Sequence, residues 1–526
     1  MAASNEFDLD LQSIQEARRL AVAAREAQRA FFHFSQAQVD HICQAMADAA
    51  YQEAMRLGRL AYEETGYGVP AHKTVKNQFG SRTVWESIKH LPTVGVLRRD
   101  ETRRIVEIGW PMGVIAALTP STNPTSTTMF KVLIAVKARN GIIIAPHPSA
   151  KGCCYETVRI MAAAGEAAGM PSGLVSCMRH VTLPGSQELM RHYAVSLILA
   201  TGGSAMVKAA HSVGKPALGV GPGNVPVYVD RSADVAKAAW DIVNSKAFDC
   251  SVICATEQAI VADRPIAAQL TRELEQQGAY FVNTEQAAAL ARILFPSGNL
   301  IDPKTVGKTP QQLAAMAQIT VPDTARVLVA RLHAVGRQEP LSAEKLTTVL
   351  GWYEADGWHA GCERCIELLK YGGDGHTLVI HAHNEEVILA FGIEKPAFRI
   401  IVNTWGTLGA IGATTGVMPS MTLAPGGIGG AVVSDNISVY NLLNVKRLAY
   451  ETQAPPRAAT TLAQGVQPMP TSRSVVQGER ASAAATPTVF SPGAPTRPAS
   501  GPPAGRGSLS SADIAEIVQR VLDEIK

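Results

Sequence analysis

GVIAALTPSTNPTSTTMFKVLIAVKARNGIIIAPHPSAK (Gly113 to Lys151) carries two short apolar runs, VIAAL and GIIIA, on either side of a helical stretch. Runs that are apolar throughout suit strands covered on both faces, and strands alternating with helices build a parallel sheet. The alternation continues through VSLILA and VPVYV to Asp230, and a second series runs on to about Ser420. The expected fold class is α/β, with two lobes and a cleft between them. A chain of 526 residues is too long for one ordinary core, and its 46% hydrophobic content supports large ones.

Upstream, Leu11, Ile14 and Leu20, then Ile42, Met46 and Ala50, recur at three- and four-residue spacings among charged residues, which predicts helices on the outside of the first lobe. VLRRDETRRIVEIGWP (Val96 to Pro111) alternates like strands around a polar turn. Beyond Tyr450 the composition changes abruptly. Gln453 to Gly507 is rich in Pro, Ala, Thr, Ser and Gly and reads as a disordered linker, with a reach on the order of 40 Å as a flexible coil. At the end, SLSSADIAEIVQRVLDEIK (Ser508 to Lys526) offers Ser510 or Ser511 as an N-cap and places Ile514, Ile517, Val518, Val521, Leu522 and Ile525 on one helical face. So short a helix is marginal alone, and its apolar face wants a partner, either the chain's own surface or a foreign one.

The net charge is only +3, and no dense Lys/Arg run is interleaved with aromatics, so nucleic-acid binding is not expected. Eight cysteines (Cys43, Cys153, Cys154, Cys177, Cys250, Cys254, Cys362, Cys365) are scattered along a chain that starts MAASNEFDLD, without a basic and apolar export signal, which fits a reducing cytoplasm. Cys362 and Cys365 form a lone CxxC with no second pair and no suitably spaced histidines, so they are read as ordinary helix positions and no metal is expected. No apolar run approaches the ~18 residues needed to span a bilayer, so no membrane partner is expected either.

Cys254 lies in FDCSVICATEQ (Phe248 to Gln258), after the glycine-rich GKPALGVGPGN (Gly214 to Asn224). Flanked by Ile253 and Ala255, with hydroxyl and amide side chains close by, it suits a thiolate that attacks a small carbonyl in a dry pocket and then carries the acyl group as a thioester. Other blocks stand in order around it: GVIAALTPSTNPTSTTMFK (Gly113 to Lys131), APHPSAK (Ala145 to Lys151), ILATGGSAMVKAAHSVGKPALGVGPGN (Ile198 to Asn224), GGDGHT (Gly372 to Thr377) and LAPGGIGGAVVSDN (Leu423 to Asn436). Together they resemble the aldehyde dehydrogenase superfamily and, within it, the CoA-acylating aldehyde dehydrogenases, including those packaged in bacterial microcompartments. The resemblance covers roughly Phe7 to Tyr450.

The resemblance implies two Rossmann-type lobes and a β-arm for oligomerisation. The dinucleotide-binding domain would take residues 1–95 and 113–226, the arm 96–112 and 421–451, and the catalytic domain 227–420, followed by the linker 452–507 and the helix 508–526. Cys254 matches the family's nucleophile. Asn123 matches the asparagine whose amide meets the tetrahedral oxyanion, with the backbone N–H of Cys254 as second donor. On its own, an asparagine in an S-T-N-P turn is simply turn chemistry. NAD is the implied hydride acceptor, with contacts carried over to Thr119, Pro120, His147, Ser149, Gly202, Gly203, Ser204, Gly221 and Glu344. GVGPGN fails the G-x-G-x-x-G pattern because Asn224 stands at its last glycine, whereas TGGSAMV resembles the family's Gly-Ser turn into a helix whose N–H groups face the pyrophosphate. Glu344 aligns with the glutamate that holds the nicotinamide ribose, although the usual F-G-P does not follow; the alternative is an exposed helix glutamate.

Hydrolytic relatives carry a water-activating glutamate where this chain has Leu218 and Gly219, and no acid appears between Lys215 and Asp230. The thiol of coenzyme A, with a pKa of about 8.5, needs much less activation than water, so coenzyme A is the expected acyl acceptor in ping-pong kinetics. His147 replaces the lysine of the hydrolytic K-P-S-E motif, which agrees. The implied substrate is a short aldehyde, propionaldehyde or acetaldehyde. The terminal helix resembles encapsulation peptides, implying a shell-protein partner and a place in the lumen of a microcompartment within the cytoplasm; a homodimer or a dimer of dimers is expected. The competing readings are a hydrolytic or phosphorylating dehydrogenase on the same fold and a catalytically silent scaffold that presents the tail to a shell. Glu257 is read as structural, Cys250 as a packing residue, and His376 as either near the cleft or satisfied within its glycine turn.

Overall fold

The computed structural model describes residues 8–298 and 300–454. The expected terminal helix (508–526) and the expected linker beyond residue 454 lie outside the described residues. Helices Leu9–Phe31, Gln36–Gln52 and Ala54–Thr65 open the chain. The second starts at a capping box in which Ser35 and Gln38 satisfy each other's backbone N–H groups. Strands β1 (Gly95–Asp100) and β2 (Ile105–Pro111) then form an antiparallel hairpin, as their alternation predicts.

The first parallel sheet contains β3 (Val114–Thr119), β4 (Gly141–Pro146), β5 (Val175–Cys177), β6 (Val195–Thr201) and β7 (Ala217–Val220), in the order β5-β4-β3-β6-β7. Every residue of β3 and β4 is buried, which is why these strands read as continuous apolar runs. The two faces of β3 go to different cores. Val114, Ala116 and Leu118 pack with Ala17, Ala21 and Ala24 of the first helix, while Ile115 and Ala117 face the core that holds Val39, Ile42 and Met46 of the second.

The second parallel sheet contains β8 (Val225–Val229), β9 (Glu257–Asp263), β10 (Ala279–Val282), β11 (Val327–Arg331), β12 (Val349–Ala355), β13 (Leu378–His381) and β14 (Ile400–Val402), in the order β10-β11-β12-β9-β8-β13-β14. The run VPVYV, grouped by sequence with the first series, is thus an interior strand of the second sheet, between β9 and β13. Its apolar character is the same in either place; only long-range pairing decides. One core holds residues of both sheets, Ile115 and Leu199 from the first and Val227 and Ile260 from the second, so the lobes share packing.

Strand β15 (Leu443–Ala449) adds to β2 and completes a three-stranded antiparallel sheet. The rest of the segment assigned by resemblance to the arm does not extend it. Met421, Leu423, Ala424, Val439 and Leu442 are buried in the main core. The three-stranded sheet leaves Val96, Trp110, Val445 and Leu448 exposed. Among the described residues no helix is long and apolar enough to cross a membrane.

Candidate active site

In the first sheet the chain runs outward from β3 to β4 and β5, then returns to place β6 and β7 on the other side of β3. Ligands of open parallel sheets bind beyond the carboxyl ends of the strands where the order reverses in this way. The turns after β3 (Pro120–Asn123) and after β6 (Gly202, Gly203) line a cavity of about 390 Å³. Its opposite wall comes from the second lobe: Val252, Ile253 and Cys254, with Glu344 and Leu346.

Cys254 follows three consecutive non-glycine residues in the left-handed region, Asp249, Cys250 and Ser251, with φ of 47°, 50° and 67°. Each such residue costs about 1 kcal/mol or more and persists only where its surroundings over-determine it. The surroundings here are Asp249's partners. Its carboxylate accepts from the Val69 N–H (2.6 Å), from Lys73 Nζ (3.3 Å) and from Lys76 Nζ. Its own backbone N–H donates to His72 Nδ1 (2.8 Å), an imidazole that burial holds neutral by lowering it to about 4. The His72 ring stacks on Phe248. Cys254 itself is half-buried, whereas the other seven cysteines are buried. Burial first, and the charge of Glu344 second, push its thiol up to about 12; the Arg399 guanidinium acts in the opposite sense. The thiol is therefore protonated at neutral pH until a base or a positive charge comes beside it.

Asn123 occupies the N-cap position of the helix Pro124–Lys137 yet makes no capping bond to it. Asparagine is a favoured cap, so a side chain that declines this role is committed elsewhere. Its Nδ2 donates to the Val252 carbonyl (3.0 Å) and to Thr122 Oγ1 (3.1 Å), and its Oδ1 accepts from Lys76 Nζ. The amide thus reaches the thiol's loop two residues before Cys254.

Pro120, His147, Gly202, Gly203, Gly221 and Glu344 line the same cavity as Asn123 and Cys254. Three other sequence candidates are not brought to it. The Thr119 side chain is buried with its hydroxyl 3.7 Å from Cys154 Sγ, and only its carbonyl points towards this region, accepting from the His147 N–H (3.0 Å). Ser149 is exposed and holds His147 Nδ1 at 2.7 Å. Ser204 is exposed as the first residue of the helix Ser204–His211. The helix itself fits a dinucleotide: its cap, Gly203, lines the cavity and makes no side-chain capping bond, and nothing lies within 4 Å of where a Cβ on Gly203 or Gly221 would stand. An anionic pyrophosphate suits such an uncrowded helix N-terminus.

Glu344 lies in the loop between Ser342 and β12, not on a helix. Its Oε1 accepts from the Gly223 N–H (2.9 Å), and burial pushes its carboxyl up to about 7. Gly223 is held between two neighbours, since a Cβ there would lie 2.6 Å from the Cys254 carbonyl and 2.8 Å from His376 Nδ1. His376 is buried beside this glycine loop, with Nδ1 on Thr377 Oγ1 (3.0 Å) and Nε2 without a partner; burial holds it neutral. Glu257 is anchored at the start of β9 by Ser245 Oγ (2.5 Å) and the Gly406 N–H (2.6 Å). Cys362 and Cys365 are buried on the helix Gly357–Gly372. Among the described residues no group of three His, Cys, Asp or Glu side chains is placed to hold a metal ion.

Sequence reading missed the residues that hold the site together. Lys73 and Lys76 stand three apart on the helix Pro70–Gln78 and share a face. That spacing was the available signal, but ordinary surface lysines show it too. Glu64 was also missed: its carboxylate accepts from the Gly152 and Cys153 N–H groups (2.8 and 2.7 Å), capping the helix Lys151–Ala167, whose own N-cap residue, Ala150, cannot.

The model of the "Aldehyde dehydrogenase family" matches residues 8–286. "Aldehyde-alcohol dehydrogenase 2" of Entamoeba histolytica is 39% identical over 79% of this chain, which spans only 49% of that relative's length. Indeed the chain spans about half the length of the first curated relatives it matches. Among solved structures, an acetylating aldehyde dehydrogenase from Geobacillus thermoglucosidasius is 49% identical, with 86% of this chain and 100% of that one covered and a TM-score of 0.85. A propionaldehyde dehydrogenase from the Clostridium phytofermentans fucose utilisation bacterial microcompartment is 28% identical, with 84% and 98% covered and a TM-score of 0.74. The α/β fold with parallel sheets is common to them, and the chain belongs to the aldehyde dehydrogenase family.

Proposed function

We propose that this chain oxidises a short aliphatic aldehyde with NAD and transfers the acyl group from Cys254 to coenzyme A. The observation that carries the reading is the make-up of the cavity wall. Beside Cys254 stand Val220, Gly221 and Pro222, and the one carboxylate among the lining residues, Glu344, is tied to the Gly223 N–H. No carboxylate stands on the wall formed by Val220, Gly221 and Pro222, and a thiol needs less activation than water does.

Cys254 Sγ, its proton passed to solvent, adds as thiolate to the aldehyde carbon, whose carbonyl opens to an oxyanion. The oxyanion is met by Asn123 Nδ2, which turns from the Val252 carbonyl, and by the Cys254 N–H. Gly202 and Gly203 would hold the pyrophosphate of NAD, His147 its adenosine ribose and Glu344 its nicotinamide ribose, and the cofactor would supply the acceptor for the hydride of the aldehyde carbon, leaving a thioester on Cys254. The coenzyme A sulfur then attacks the Cys254 thioester, Cys254 leaves as thiolate, and acyl-CoA departs. Ile253, Ile301, Val306, Leu346, Ile411 and Leu423 make the cavity apolar, which suits propionaldehyde or acetaldehyde.

The microcompartment neighbour and the amphipathic pattern of residues 508–526 support a further part of this reading: the chain is shell cargo, tethered by its terminal helix. The exposed apolar residues of the three-stranded sheet support assembly into a dimer or a dimer of dimers. The chemistry is tested by intact mass. Incubation with propionaldehyde and NAD alone should add one propionyl group, on Cys254, and coenzyme A should remove it. Absence of the adduct while NADH accumulates would overturn the reading.

A further inference from the structure

We propose that Lys76, clamped by Asp249, is a positioning residue that fixes and polarises the Asn123 amide. The inference rests on the reading of Asn123 as oxyanion donor. Lys76 is 2% exposed and Asp249 fully buried, so their ion pair is screened little by water. Lys76 Nζ donates to both the Asp249 carboxylate and Asn123 Oδ1. Flipping the amide would set its NH2 against an ammonium, so the charge dictates which way Asn123 points. Nδ2 is thereby kept on the side of the thiol's loop, where it rests on Thr122 and on the Val252 carbonyl that the oxyanion would displace.

An ammonium on the amide oxygen also withdraws electron density from the nitrogen, making its N–H bonds stronger donors. Lys73, which bonds Asp249 (3.3 Å) and the Thr122 carbonyl (3.2 Å), pins the preceding residue of the same turn. One carboxylate from the catalytic loop therefore organises two ammonium groups behind the oxyanion donor. The left-handed backbone at Asp249 is what aims that carboxylate at them.

A double-mutant cycle distinguishes this from a merely structural role. Removal of an oxyanion donor costs on the order of 10²–10³ in kcat, so Asn123→Ala should lose that much. Lys76→Met should lose roughly tenfold to a hundredfold, with the aldehyde KM and NAD binding little changed. In the Asn123→Ala background, Lys76→Met should cost almost nothing more. Lys76→Arg, which keeps a charged donor, should recover more rate than Lys76→Gln, and these two variants carry the same cycle if Lys76→Met does not fold. Losses that multiply, or unchanged kcat in every Lys76 variant, would overturn the inference. Full activity of Asn123→Ala would instead remove the underlying reading of Asn123.

Discussion

The two walls of the cavity are built on opposite terms. On the first-lobe side, turns at the ends of β3 and β6 lead directly into helices, and the β3 turn is also tied at Thr122 and Asn123 by Lys73 and Lys76. On the second-lobe side, three left-handed residues precede Cys254, and the first of them, Asp249, is held by His72, Lys73 and Lys76, more than 170 residues earlier. The local helix entries tolerate change, whereas the buried charges join the two walls, so that losing one of them is felt on both sides.

Removing the clamp should show the largest effect. Asp249→Asn leaves two buried ammonium groups facing each other, and breaking a buried pair in this way costs about 3–5 kcal/mol. Chemical denaturation should read that loss; a change below about 1 kcal/mol would mean that the carboxylate is not what holds the strained loop. Next, Gly223→Ala should push the Cys254 carbonyl and His376 aside, and an ångström of displacement at a nucleophile costs on the order of 10² in rate. Wild-type kcat in that variant would show that the second wall gives more easily than its contacts imply.

The thiol itself gives a smaller but sharper reading. With Cys254 pushed up to about 12, its thiolate fraction, and hence its alkylation rate, should rise about tenfold per pH unit from pH 7 to 10. A plateau near neutrality would show an activated thiolate already present in the free protein. The smallest effect belongs to the first lobe, where Glu64→Ala should cost about 1 kcal/mol by uncapping one helix and leave the Cys254 chemistry intact.

The same contrast explains what the sequence made legible. VIAAL and GIIIA, and VSLILA apart from Ser196, read as strands because both their faces are buried, and a short apolar run shows that without any knowledge of its neighbours. VPVYV read equally well as a strand, yet its sheet depends on pairing with β9 and β13, which lie tens to more than a hundred residues away. Cys254 and Asn123 were found through the order of the motif blocks, and the structure brings both to one cavity. Lys76 carries only its three-residue spacing from Lys73, and Asp249 no local mark. Each looks like an ordinary charged residue until the fold buries them together.

The central proposal, that the Cys254 thioester goes to coenzyme A and not to water, is open to a direct trial. NADH formation from propionaldehyde would be followed with wild type and Cys254→Ala, each with and without free coenzyme A, and the product identified by mass. Sustained turnover that needs both Cys254 and coenzyme A and yields propionyl-CoA is the expected result. Steady wild-type turnover to propionate without coenzyme A would contradict it, because water would then be the acceptor although no carboxylate stands on the wall of Val220, Gly221 and Pro222.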